Sequence, residues 1–213
     1  MDSGTSRSYS LQHTNYLNLA RDSIAMLPKF LEIKSGYDSF YNWMLSQGRI
    51  PMKETSLGYW GISTADDVFH LFKDLRLERH KSFIDLGSGD GKVTLIASLF
   101  TQATGIECDE ELIGHSRDMK KKLGLKKAEF IQGDFMAHDL SSYDFIFINP
   151  DKQMHALEPK LFRELHGRLV VYGHLYHPSV LEKEAHFIAH TTPVTVYRNR
   201  GSDLAPTKGG KTQ

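Results

Sequence analysis

The chain has 213 residues, 40% of them hydrophobic and 24% charged, and its 26 basic and 26 acidic side chains leave no formal net charge. This is an ordinary globular composition, long enough for one main domain with an attached segment. It excludes a molecule-wide attraction to nucleic acid or to an anionic membrane, and nothing in it points to DNA; the local patch of Lys120, Lys121, Lys122, Lys126 and Lys127 reads as the solvated basic end of a helix.

The single cysteine, Cys108, rules out an internal disulfide scaffold and suits a reducing, cytoplasmic setting. No apolar run approaches the roughly 20 residues a membrane-spanning helix needs. Residues 1–10 are polar and Ser-rich, and residues 201–213 mix Gly, Pro, Lys and Thr without an apolar pattern, so both are expected as flexible tails.

Residues 11–62 are expected to form a helical segment packed on the domain that follows. Tyr16, Leu19, Ala20, Ile24, Leu27 and Leu31 recur at helical steps. Pro28 predicts a kink or break. A second helix is predicted over 37–47, with Phe40, Trp43 and Met44 on one face and Gly48 as its stop. Trp60, between Gly58 and Gly61, has two readings: a lid over a site, or packing between these helices and the next domain.

Residues 63–200 change rhythm to alternating strands and helices. A helix over 65–75 has Ser63 or Thr64 as its cap and Asp66 and Asp67 in its first turn. Strands are predicted over 82–86, 103–107, 128–132, 144–149 and 168–172, with helices over 92–100, 110–123 and 152–165 between them. A short helix or turn over 180–184 leads to strands 185–190 and 194–198. The three-residue link between those two permits only an antiparallel pair. The expected fold is α/β: a Rossmann-like, open, mostly parallel seven-stranded sheet with helices on both faces, an antiparallel closing hairpin and a helical N-terminal extension. Chemistry is then expected at the carboxyl ends of the strands.

After the first of these strands comes Asp85-Leu86-Gly87-Ser88-Gly89-Asp90-Gly91, opening directly into a helix. Glycines let a ligand approach the backbone, and the helix start offers unpaired N–H groups. Asp85 at the strand end repels a pyrophosphate but accepts an ammonium. An amino-acid group carries both an ammonium and a carboxylate, and S-adenosylmethionine ends in one. A dinucleotide fingerprint counted from Gly87 requires glycine at position 92, where this chain has Lys92. The second strand ends in Glu107, an acid placed for ribose hydroxyls, with Cys108 beside it. The third ends in Gly133-Asp134-Phe135, where Asp134 can accept an adenine amine and Phe135 or Met136 can contact the ring.

Taken in order, these residues resemble the class I, seven-strand S-adenosylmethionine-dependent methyltransferases over residues 64–198. Residues 83–91 look like that family's first motif, Glu107 like its ribose-binding acid, and Gly133-Asp134 like its adenine-binding acid. The resemblance implies S-adenosylmethionine as cofactor, held by Asp85, Gly87, Ser88, Gly89, Gly91, Glu107, Cys108, Asp134, Phe135 and Asn149.

The acceptor is read from weaker signals. The fourth strand runs into Asn149-Pro150-Asp151-Lys152. Families that methylate exocyclic or amide nitrogens carry Asn or Asp, two prolines and an aromatic residue here. Asp151 and Lys152 depart from that pattern, which removes a stacking platform for a base. A narrower resemblance is to the small protein-lysine methyltransferases of archaea and mitochondria, through the 85–91 loop, the Pro150-to-Met154 segment and Leu157-Glu158-Pro159-Lys160-Leu161. It implies a protein lysine as acceptor. A small molecule or RNA is the alternative, and a non-catalytic S-adenosylmethionine-binding module is a third reading. Candidate acceptor-orienting or catalytic residues are Asn149, Asp151 and His174, with Tyr176 and His177 nearby. No group of His, Cys and acidic residues stands at metal-ligand spacing.

Overall fold

A computed structural model describes residues 5–199, with side chains from residue 25 onward. The chain opens with α1 (Thr5–Ser46), one helix with Pro28 inside it. The expected break at Pro28 is absent. Proline removes one backbone hydrogen bond, but beyond it Phe30, Ile33, Tyr37, Tyr41 and Met44 form a buried row on one face. Phe30 stacks on Phe69 with ring centroids 4.1 Å apart. Burial of that row outweighs a single lost bond. Gly48 stops the helix as expected, at φ 71°.

Next come two short strands, β1 (Met52–Thr55) and β2 (Gly58–Gly61), paired as a separate antiparallel hairpin. This corrects the expectation of helical structure through residue 62. The strands are only four residues each and half of their residues are exposed, so they carry little of the apolar periodicity from which strands are read.

The main domain begins at α2 (Ala65–Asp74), whose Val68, Phe69, Leu71 and Phe72 are buried. Then follow β3 (Ser82–Leu86), α3 (Lys92–Ala97), β4 (Gln102–Glu107), α4 (Glu110–Leu123), β5 (Ala128–Gln132), β6 (Phe145–Ile148), α5 (Glu158–Glu164), β7 (Arg168–Tyr172), β8 (Glu182–Ala189) and β9 (Thr192–Arg198). The seven strands β3 to β9 lie in the order β5-β4-β3-β6-β7-β9-β8. Pairing is parallel from β5 to β7, and β9 runs antiparallel to both β7 and β8. The expected sheet and its closing antiparallel pair are therefore present.

The chain winds outward from β3 through β4 to β5, then returns to the other side of β3 with β6. That reversal opens a crevice at the carboxyl ends of β3 and β6. Two apolar layers sandwich the sheet. Phe72, Phe83, Phe145 and Phe147 lie in the layer shared with α1 and α2. Ile84, Ile146, Leu161 and Val171 lie in the layer under α5.

Several boundaries differ from expectation by a few residues, and two of the differences bear on the site or the sheet edge. α5 starts at Glu158 rather than 152, because Pro159 is pre-set for a first helical turn and Asp151 and Lys152 are tied to the hairpin instead. β8 starts at Glu182, where a short helix or turn was expected, because residues 182–185 pair with β9. No helix among the described residues is long and apolar enough to cross a membrane.

Candidate active site

The loop after β3 is built for close approach. Gly87, Gly89 and Gly91 all have positive φ, at 75°, 55° and 84°. At Gly89 a side chain is also excluded by space, since a Cβ there would lie 2.2 Å from the Trp60 indole. Gly87, by contrast, has nothing within 4 Å on its Cβ side. The end of β4 clamps the loop: the Gly87 and Ser88 N–H groups both donate to the Ile106 carbonyl at 3.0 Å. Glu107 accepts the Gly89 N–H at 2.9 Å with one oxygen. With the other it accepts the N–H groups of Cys108 and Asp109, each at 2.9 Å.

From the other face, α1 grips the same loop. Tyr37 donates to the Asp90 carbonyl at 2.7 Å, and Tyr41 donates to the Asp90 carboxylate. Burial, reinforced by the Asp90 charge, pushes both phenols well above their ordinary pKa. Lys92 lies 4.6 Å from the Tyr41 ring centroid, and burial pushes its ammonium below the ordinary lysine range.

Two adjoining cavities open at this point, sharing Tyr59, Trp60, Gly87 and Asn149 as walls. The larger, about 200 Å³, lies between the hairpin and the sheet, and Glu107, Cys108, Asp134, Phe135 and Asn149 face it. The smaller, about 50 Å³, is polar and is lined by Asp85, Ser88, Asp90 and Lys92. Every expected cofactor residue except Gly89 and Gly91 thus lines a cavity, and those two shape the loop behind it.

The smaller chamber holds unmet electrostatic demand. Asp85 is 3% exposed and receives one hydroxyl, from Thr94 at 3.2 Å. Burial pushes its pKa up to about 8, and the nearby Glu107 and Asp90 charges push the same way. The Ser88 hydroxyl is buried without a hydrogen-bond partner among the described residues. A cation beside Asp85 and an acceptor beside Ser88 satisfy both, and an amino-acid group supplies them from its ammonium and carboxylate.

The candidate acceptor residues are placed less uniformly. Asn149 is exposed where the two cavities meet. Asp151 faces the larger cavity, but its carboxylate accepts the Tyr59 backbone N–H at 2.6 Å. His174 is exposed and lines neither cavity. His177 is turned to Tyr197 at 3.0 Å, and burial lowers its pKa. Tyr176 packs on the α5-side core. Asp134 accepts the Met136 N–H at 2.8 Å, which fixes the loop after β5.

Trp60 packs in the core that includes α1, the second of its two readings, and it also walls both cavities. The rest of the hairpin roof was missed in the sequence. Thr55, Leu57 and Tyr59 carry no motif, and only Gly58 next to Tyr59-Trp60-Gly61 hinted at a turn near a site.

Comparison with known proteins agrees with this geometry. A family profile described as "Methyltransferase domain" matches residues 77–192, just over half of the chain. No curated protein matches the sequence. Among solved structures, the RNA methyltransferase from Salinibacter ruber in complex with S-adenosyl-L-homocysteine is similar at 22% identity and TM-score 0.55, over 65% of this chain and 95% of that one. A mutant of MtNAS in complex with S-adenosylmethionine is similar at 14% identity and TM-score 0.56, over 93% of this chain and 80% of that one. The putative methyltransferase yhhF from Escherichia coli is similar at 17% identity and TM-score 0.52, over 70% and 98%. At these identities the likeness is one of fold. With the family match, the strand order and the two cavities together, the chain belongs to the methyltransferase-domain family, as a class I methyltransferase whose cofactor is S-adenosylmethionine.

Proposed function

We propose that this protein transfers a methyl group from S-adenosylmethionine to the side-chain nitrogen of a protein lysine. The cofactor supplies an already activated sulfonium methyl. The observation that carries the assignment of the site is the pair of adjoining cavities, one mostly apolar, the other polar with the buried Asp85 carboxyl and the Ser88 hydroxyl, which has no partner among the described residues.

In this reading Asp85 accepts the ammonium and Ser88 donates to the carboxylate of the amino-acid end. Glu107 and Asp134 face the ribose and adenine, and Phe135 supplies apolar contact. Trp60 excludes water from the join between the cavities. Asn149 stands at the mouth, where its amide oxygen can accept from an incoming amine and hold it in line. None of the candidate histidines lines either cavity, which favours an acceptor that does not depend on a histidine base. An amine needs only to arrive neutral. Lysine has an ordinary pKa of ~10.4, and desolvation on entry to a walled site lowers it.

Methyl-labelled S-adenosylmethionine incubated with the protein and a cell extract tests the acceptor. Label in protein, recovered as methyl-lysine after hydrolysis, is the expected result. Label confined to RNA or to small molecules overturns the lysine reading while leaving the methyltransferase itself standing.

A further inference from the structure

The β1–β2 hairpin is fastened across the larger cavity from opposite sides. On one side Asp151, after β6, accepts the Tyr59 N–H at 2.6 Å, and its neighbour Lys152 donates to the Leu57 carbonyl. Gly58 lies so near Asp151 that a Cβ there would come within 2.3 Å of the carboxylate. On the other side Lys53 donates to Asp109 at 2.9 Å and to Glu111 at 2.8 Å, where α4 begins. Arg49 adds a second bond to Glu111 at 2.9 Å. Between the ties the Trp60 indole lies against Gly89. Thr55, Leu57, Gly58 and Tyr59 complete the wall of the cavity on this side.

We propose that Asp151 and Lys53 are positioning residues that hold the hairpin shut over the cofactor, so that the cofactor product leaves only when the hairpin lifts. Asp151 thereby acts through Tyr59 and the hairpin backbone rather than on the reacting atoms. The geometry favours this over a catalytic role, because one carboxylate oxygen, Oδ2, is already bound to a backbone N–H. Four of the ties are exposed polar contacts and the Lys53–Asp109 pair is half-buried; such contacts are weak enough to break on the timescale of turnover, while the buried Trp60 gives the closed position its shape. The proposal rests on S-adenosylmethionine and its product occupying this cavity.

S-adenosylhomocysteine is the probe, and Trp60 fluorescence in a Trp43→Phe background reports its release by stopped flow. Asp151→Ala is expected to speed dissociation by about tenfold, whereas Asp151→Asn, which keeps an oxygen for the Tyr59 N–H, stays within about twofold of the parent. Lys53→Met is expected to speed release from the other side, and the double variant more than either. Unchanged release in a folded Asp151→Ala protein overturns the proposal. Equal acceleration in Asp151→Asn overturns it too, since loss of charge rather than loss of the tie then explains the effect. Should Asp151→Ala not fold, hydrogen exchange on the parent decides. Slower exchange of the 52–61 amides at saturating S-adenosylhomocysteine supports the ties, and unchanged exchange overturns them. Absence of any binding by the parent at millimolar ligand overturns the cofactor assignment and this proposal together.

Discussion

Asp85 is held where water would not leave it. Its carboxyl is buried, has one hydroxyl donor, and titrates at about 8 in the ligand-free protein. An ammonium placed beside it favours the charged form. Cofactor binding near neutral pH is therefore expected to release up to one proton and to tighten as pH rises toward 8, by up to about tenfold per unit. Calorimetry in buffers of different ionisation enthalpy measures the proton, and pH-independent affinity between 6 and 8 sinks the prediction.

Stability runs the other way. A raised acid pKa means the folded state holds a proton that the unfolded chain, at ~3.9, gives up. This contribution is complete below about pH 4 and is lost as pH rises through about 8. Asp85→Asn removes the dependence, so its ligand-free melting temperature at pH 8 should exceed that of the parent by several degrees, on the order of 2 kcal/mol, while cofactor affinity collapses. Asp85→Ala likewise should stay folded and lose binding. Ser88→Ala shows the same opposition in milder form. Deleting a buried hydroxyl that has no partner leaves stability unchanged or raised by up to about 1 kcal/mol, and weakens cofactor binding by about 3–10-fold. Parallel losses of stability and affinity in either residue argue for a role in the fold.

At the scale of elements, the glycine loop and the hairpin must be shaped together. Gly89→Ala forces a methyl group into the Trp60 indole at a left-handed φ. We expect it to cost about 1–3 kcal/mol and to raise the cofactor dissociation constant well over tenfold; melting temperature and titration of the same sample check both. Burial made β3 and β7 legible, each a short apolar run between polar turns, and the edge strand β5 was legible from its bounding turns; all three match the expected ranges to the residue. α4 was legible through its ends, with Asp109 accepting the Leu112 N–H and Gly124 at φ 65°. The hairpin was not. Its stability comes from contacts with residues about fifty to ninety positions away, such as Asp109 and Asp151, and no local period records those. The same long-range contacts keep residues 151–157 out of α5. Asp85, Glu107 and Asp134 could be found because strand ends are fixed by the fold, whereas Tyr59 reaches the site only through the hairpin.

For the whole molecule, α1 is a structural member and not an appendage. Five large side chains, Phe30, Ile33, Tyr37, Tyr41 and Met44, are buried by it. At roughly 1.5–3 kcal/mol each they rival the entire 5–15 kcal/mol stability of an ordinary domain. A chain lacking residues 1–46 is expected not to fold; a cooperative melt and normal cofactor affinity in that truncation would refute this. The zero net charge adds a second molecule-wide expectation, that association with a protein acceptor is governed by local contacts and varies little between low and physiological salt.

The hairpin also lies upstream of the stretch that the family profile matches. The family match covers residues 77–192, which contain the side chains expected to hold the cofactor. The roof over the cavity comes from residues 55–60, upstream of that block. The matched block and the roof upstream of it meet at the Trp60–Gly89 contact. Exchanging residues 52–59 while keeping α1 and Trp60 is therefore expected to change access to the larger cavity and to leave the shape of the glycine loop intact.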